Sequence, residues 1–148
     1  MILHNSPDCV TSDDFEKLML GKPYVDRCCH VDAVDCWGLI VLYYRLCRAI
    51  NVHHDDNYDN GGHFSTCFEN EIIFWEEIDC PEHGDMVTAF RGRMPVHVGL
   101  VWGRDRILHA REKTAVRFDR LSTLDRLSTK LRFYKYASHP HSEDARSA

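Results

Sequence analysis

Asp35-Cys36-Trp37-Gly38-Leu39-Ile40-Val41-Leu42-Tyr43-Tyr44-Arg45-Leu46-Cys47-Arg48 is the stretch on which the fold turns. Trp37, Ile40, Tyr44 and Cys47 recur at intervals of three and four, the period of one helix face. Leu39, Tyr43 and Leu46 widen that stripe until nearly the whole helix looks buried, and such a helix sits at the centre of a domain. Asp35 is a good N-cap, since its carboxylate can accept a backbone N–H of the first turn. Cys36 then stands in that first turn, where backbone N–H groups and the helix dipole favour an anion. The expectation is a lowered thiol pKa and a reactive thiolate. A structural core cysteine can occupy the same position, so the thiol alone decides nothing.

Upstream, Thr11-Ser12-Asp13-Asp14 offers caps and first-turn acids for a helix, with Glu16 three residues after Asp13. Phe15, Leu18 and Met19 form its apolar face, and Gly21 followed by Pro23 stops it. Downstream, Asn51 to Asn70 is polar and turn-rich and reads as a surface loop. Glu69 to Ile78 reads as a short helix with Ile72, Ile73 and Trp75 turned inward. From Gly84 the period changes to two. Met86 to Phe90, Val96 to Trp102, Arg106 to Ala110, Thr114 to Phe118 and Leu131 to Tyr136 are strand candidates, with turns at Gly92 and Gly103-Arg104-Asp105. Helices followed by an antiparallel meander make the fold class α+β.

Two histidines fall on that sheet. In Val96-His97-Val98-Gly99-Leu100-Val101-Trp102 the even positions are large and apolar, while His97, Gly99 and Val101 share the opposite face. A hairpin centred on Arg104 sets Gly99 against His109 and the two histidines at a diagonal. One centred on Gly103 sets them directly opposite. Either way one imidazole can take a thiol proton while the second orients the first. Gly99 leaves space for a substrate or for the Cys36 helix end. The bland alternative is one half-buried histidine and one surface histidine.

A chain of 148 residues is long enough for one core. We expect a single domain over 1–137 and a flexible tail over 138–148, where the sequence turns small and polar. No apolar run approaches the roughly 20 residues of a membrane-spanning helix. Met1-Ile2-Leu3-His4-Asn5 lacks a basic start and apolar stretch, so synthesis in the cytoplasm without signal-directed export is expected. Seven cysteines form an odd set without repeated spacing and are expected to be mostly reduced. Net charge of −5 gives no indication of nucleic-acid binding. Residues 111–135 nevertheless carry eight basic and three acidic side chains, either a solvated face or a docking surface for an anionic partner. Cys28-Cys29-His30, Cys80 with His83, and His53-His54-Asp55-Asp56 invite a metal reading. They lack paired CxxC spacing, and scattered core thiols and a polar turn explain them better, so no metal or other cofactor is expected.

Taken in order, Gly21-Lys22-Pro23-Tyr24, Asp35-Cys36-Trp37-Gly38-Leu39-Ile40, Gly84-Asp85-Met86-Val87, His97-Val98-Gly99-Leu100-Val101 and Ile107-Leu108-His109-Ala110 resemble the NlpC-type cell-wall cysteine peptidases. Trp37, Trp75 and the ending from Arg120-Leu121-Ser122 to Phe133-Tyr134 look most like the tailed-phage branch, whose members are tail-tip or tail-assembly proteins. The resemblance implies a papain-like fold with the Cys36 helix packed on the sheet that bears both histidines. It implies metal-free cleavage of peptidoglycan stem peptides near D-glutamate and a diamino acid. Cys36 is then the nucleophile, His97 the base and acid, and His109 the orienter of His97. Tyr24 supplies a hydroxyl beside the nucleophile, and Asp35, Trp37 and Gly99 join it on the substrate side. Partners implied are the peptidoglycan peptide and other tail-tip proteins, with the protein carried on a virion and acting in the periplasm or cell wall. Where many relatives carry Gly-Gly after the tyrosine, this chain has Arg27-Cys28-Cys29-His30, which could narrow the cleft. The competing reading is a structural tail-tip module that keeps the fold without the chemistry.

Overall fold

A computed structural model describes residues 9–54 and 64–137. The expected tail over 138–148, and Asp55 and Asp56 of the histidine-rich turn, lie outside the described residues. Helix α1, Ser12–Met19, is capped by Thr11, whose hydroxyl accepts the Asp14 N–H at 3.1 Å. Phe15 and Met19 are buried and Gly21 ends the segment at φ +85°, a backbone conformation that glycine adopts without strain. Gly21 and Lys22 then bond through their backbones to Val116. The short antiparallel strands β1, Cys29–His30, and β2, Ala33–Val34, deliver the chain to Asp35.

Helix α2, Cys36–Arg48, is buried continuously from Cys36 to Tyr44. That agrees with the nearly all-round apolar pattern. Leu39 and Ile40 are fully buried, so truncating either to Ala would cost about 2–5 kcal/mol. Left-handed Ala49 closes the helix and returns its N–H to the Tyr44 carbonyl.

The next segment corrects the expectation of a long loop followed by a helix over 69–78. Helix α3 spans Phe64–Glu71, a 3-10 turn covers Ile72–Phe74, and strand β3 occupies Trp75–Ile78. Phe64 and Phe68, four residues apart, pack with tilted rings at a centroid distance of 6.0 Å, while Cys67 is buried on the same helix. That small apolar face is enough to turn a polar stretch helical once a sheet is there to receive it. Trp75 to Ile78 are taken from any helix by pairing with Tyr136 to Phe133. Ile73 consequently faces solvent.

The remaining elements are β4, Met86–Arg91; β5, Met94–Trp102; β6, Arg106–Ala110; β7, Val116–Arg120; α4, Leu121–Arg126; and β8, Lys130–Tyr136. They complete an antiparallel sheet in the order β3-β8-β4-β5-β6-β7. β7 begins two residues later than expected, because Thr114 N–H bonds to Arg111 O and Lys113 adopts φ +65°, so these residues make a turn. α4 was not expected at all.

One sheet face carries Met86, Val98, Leu100, Trp102, Leu108 and Ala110 into the main core under α2. The other carries Val87, Val101 and Ile107 into a second cluster closed by Leu121, Leu124, Leu131 and Phe133. The α+β architecture, a central helix on an antiparallel sheet, is the one the sequence implied. Four cations of the basic segment have carboxylate partners: Arg111 and Arg117 with Asp119, Arg132 with Glu77, and Lys135 with Glu82 and buried Asp85. Among the described residues no helix is long and apolar enough to cross a membrane.

Candidate active site

The site starts from a clamp at the head of α2. Asp35 is fully buried; one carboxylate oxygen accepts the Gly38 N–H at 2.7 Å and the other the Arg27 N–H at 2.9 Å. Its own N–H donates to the Cys28 carbonyl at 3.0 Å. The expectation that Asp35 faces substrate is therefore corrected: its charge is spent on backbone groups that fix the helix start. The same packing explains Gly38. A Cβ there would run into the Cys28 carbonyl, so only glycine lets that strand of backbone lie against the first turn.

Cys36 is 7% exposed. Backbone N–H groups of Val98, Trp37 and Cys36 itself lie close enough to the sulfur to favour its anion. Burial outweighs them and, together with the Asp35 charge, pushes the thiol up to about 12. The lowered pKa expected from the helix start is thus not met in the closed site. The Val98 contact has a topological cause. The ladder between β5 and β6 runs from Trp102 against Arg106 to Leu100 against Leu108. Past its end the Val98 N–H faces the thiol, one residue along from His97.

That register is the Arg104-centred one, which sets His97 and His109 at a diagonal. Their rings meet with His97 Nε2 at 2.7 Å from His109 Nδ1. Burial, helped by His109 and Arg111, lowers His97 to about 3. Burial also lowers His109 against the opposing pull of Asp119. Both imidazoles are neutral at ordinary pH. His109 is almost fully buried, and its Nε2 lies 2.8 Å from Asp119 Oδ2.

Gly99 does not open space for a substrate. A Cβ there would meet Ile107 Cγ1 at 2.6 Å and His109 Cβ at 2.9 Å, so glycine admits the β6 side chains and lets His109 approach His97. Trp37 is also not on the substrate side. It is buried, donates its indole N–H to His54 Nδ1 at 2.8 Å, and packs edge-on against Trp75. Tyr24 is half-buried next to Cys36 and Asp35, and burial with those two neighbours pushes its phenol up, so it remains an O–H donor.

A cleft of about 430 Å³ opens over the histidine face of the sheet. His97, His109 and Asp119 line it with Arg91, Arg111 and Leu124, whereas Cys36 and Tyr24 do not. The thiol meets the sheet at the Val98 N–H, next in sequence to His97. Asp119 and the α4 wall escaped the sequence reading. The alternation predicts a strand over 114–118, which leaves Asp119 outside it; the observed strand, Val116–Arg120, brings it onto the His109 face.

Of the groups that suggested metal, Cys29 bonds to the Gly38 carbonyl and Cys80 is exposed. His83 holds the Ser12 hydroxyl and the Gly103 N–H with its two ring nitrogens. Among the described residues no three His, Cys, Asp or Glu side chains are grouped to hold a metal ion.

Solved structures share this fold. The NlpC/p60 domain of the peptidoglycan hydrolase SagA superposes with a TM-score of 0.55 at 15% identity, over 81% of this chain and 90% of that one. An NLP/P60-family protein similar to lipoprotein from Staphylococcus aureus gives 0.56 at 20% identity, over 81% of this chain and 38% of its own. NlpC1 from Trichomonas vaginalis gives 0.53 at 21% identity, over 74% and 39%. The chain thus spans less than half the length of the latter two. No curated protein matched. The model of the NlpC/P60 family matches residues 21–131, which contain Tyr24, Cys36, His97, His109 and Asp119. The chain belongs to the NlpC/P60 family.

Proposed function

We propose that this protein is a cysteine peptidase that cleaves peptidoglycan stem peptides by acyl transfer through Cys36, His97 and His109. The observation that carries the reading is the meeting of α2 and β5, where the Cys36 thiol reaches the Val98 N–H beside a histidine already oriented by a second one. The hydrolase named among the structural neighbours supports the substrate class.

With a neutral thiol and a neutral imidazole, the reaction starts without a preformed ion pair. His97 takes the Cys36 proton as the sulfur attacks the scissile amide carbonyl. Backbone N–H groups of Cys36 and Trp37, already turned toward the sulfur, are placed to receive the oxyanion, a role worth about 3 kcal/mol per donor. The Tyr24 hydroxyl, beside Cys36, is a further donor. His97 then gives its proton to the leaving amine, the C–N bond breaks, and a thioester remains. Water, deprotonated by His97, attacks the thioester; the peptide acid leaves and the thiol is restored.

The setting we propose is a tailed-phage particle, carried on its tail tip and acting in the periplasm or cell wall after synthesis in the host cytoplasm. Its support is the sequence resemblance in the region of Trp37 and Trp75, which pack together in the core with centroids at 6.4 Å. The buried, protonated Cys36 favours one rival, a tail-tip module that keeps the fold without catalysis.

The test is digestion of purified peptidoglycan by wild-type protein and Cys36→Ala, with the fragments identified by mass spectrometry. New stem-peptide fragments from wild type alone would establish the peptidase and name the bond. A folded wild-type protein that releases none would overturn the reading in favour of the structural module.

A further inference from the structure

The chain of contacts from His97 through His109 ends on a side chain that no reading of the motifs assigns. Asp119 Oδ2 lies 2.8 Å from His109 Nε2, and Oδ1 lies 3.1 Å from an Arg117 guanidinium nitrogen. Arg111 stands 3.9 Å from Oδ2. An ionised carboxylate only accepts hydrogen bonds, so the His109 Nε2 carries the proton. A neutral His109 then has a lone pair on Nδ1, and at 2.7 Å it must accept from His97. The proton of His97 is therefore on Nε2, and its Nδ1 is left with the lone pair.

We propose that Asp119 is a positioning residue that, through His109, fixes the tautomer of His97 and thereby makes Nδ1 the atom that takes the Cys36 proton. This rests on the reading of His97 as the base. Arg111, at the end of β6, and Arg117, on β7 itself, complete the device. They balance the Asp119 charge, so the carboxylate directs the proton without drawing a second one onto either imidazole. In this role Asp119 acts through His109, which its carboxylate contacts directly.

Asp119→Asn is the sharpest variant because it changes little but the direction of one hydrogen bond. The asparagine oxygen would stay on the Arg117 side and its NH2 would face His109 Nε2. His109 would then carry its proton on Nδ1 and donate to His97 Nε2, which forces the His97 proton onto Nδ1. The base is lost while the geometry remains. Where a triad carboxylate elsewhere is replaced in this way, kcat drops about ten-thousand-fold. We expect a loss of about a thousandfold or more here, in kcat with KM unchanged.

The experiment is nitrogen-15 NMR of ring nitrogens in histidine-labelled protein near pH 7, with His97→Gln used to assign the His97 signals. Wild type should show His97 protonated on Nε2 alone, and Asp119→Asn should show it protonated on Nδ1. Asp119→Glu, which keeps an accepting carboxylate, should hold the wild-type tautomer and recover part of the activity, and it serves if the asparagine variant does not fold. An unchanged His97 tautomer in Asp119→Asn, or a doubly protonated His97 in wild type, would overturn the assignment. If the tautomers switch as stated but wild type leaves peptidoglycan intact, the control of the His97 tautomer by Asp119 stands and the functional reading, with the transfer of the Cys36 proton, fails.

Discussion

Asp35 holds the backbone N–H of Arg27 at 2.9 Å with one carboxylate oxygen while the other caps α2. A single buried side chain thus ties the loop before the nucleophile to the helix that bears it. Removing it leaves two backbone donors without this acceptor, one of them buried and the other half-buried. The loss of an N-cap costs about 1 kcal/mol, and a buried donor left without its charged acceptor about 1–3 kcal/mol more. Asp35→Ala should lower unfolding stability by about 2–4 kcal/mol in urea titration. A change below about 0.5 kcal/mol would show that the clamp contributes nothing.

Arg27, in the loop before the Cys36 helix, has φ +62°. Left-handed backbone costs a residue with a Cβ about 1–2 kcal/mol relative to glycine. Glycine returns part of that gain as extra freedom in the unfolded chain, roughly 0.4–1 kcal/mol. Arg27→Gly should therefore raise stability by up to about 1 kcal/mol, read as a higher urea midpoint. A lower midpoint would mean that the arginine side chain contributes more than its backbone costs.

Gly38 poses the opposite trade. Within a helix Ala is favoured over Gly by about 1 kcal/mol. Here a Cβ would strike the Cys28 carbonyl, which itself accepts the Asp35 N–H. Forcing that backbone aside costs about 1–3 kcal/mol and moves the clamp with it. Gly38→Ala should destabilise the protein despite better propensity. A stabilised variant would show that the Arg27–Cys29 backbone gives way freely.

The sequence was legible where one force dominated. The all-round apolar run from Trp37 to Tyr44 admitted only a central helix, and the alternation from Val96 to Trp102 only a strand. The hairpin turn left two registers, and choosing between them took the pairing of Trp102 with Arg106. The segment from Phe64 to Ile78 was not legible because its structure is imposed from outside. Trp75 to Ile78 become a strand by pairing with β8, more than fifty residues away in sequence. Within the site, spacing placed Cys36, His97 and His109 correctly on their elements. It also made Asp35 the cap of the Cys36 helix, as observed, but gave no sign of the Arg27 N–H on the second carboxylate oxygen, of His54 on Trp37 or of Ile107 against Gly99. Such contacts leave no periodic trace.

His97 makes stability depend on pH in a definable window. Its folded pKa is lowered to about 3 from an ordinary value near 6.5. Between those values the unfolded chain binds a proton that the folded protein does not, so stability falls as pH is lowered through that range. The slope from one such group is at most about 1.4 kcal/mol per pH unit. Denaturant unfolding from pH 7 to pH 4 should show wild type losing stability more steeply than His97→Gln. Parallel curves would mean that His97 is protonated in the folded protein as readily as outside it.

The Cys36 thiol offers a direct test of the neutral resting pair. A thiolate–imidazolium pair would alkylate at a rate that rises at low pH to a plateau reaching through neutrality, since the thiolate would already be present. With the thiol at about 12 and His97 at about 3, the thiolate fraction at neutral pH is minute, and it grows tenfold for each pH unit. The rate of Cys36 modification by iodoacetamide, followed by mass spectrometry from pH 6 to pH 10, should therefore climb without a plateau. Six other thiols will also react, so the modified site has to be read by peptide mapping, with Cys36→Ser as the blank. A plateau at neutral pH would establish the ion pair in the free enzyme and move the proton transfer ahead of substrate binding. A continuous climb, together with hydrolysis at neutral pH, would place the transfer after substrate has entered, when His97 takes the proton as the sulfur attacks.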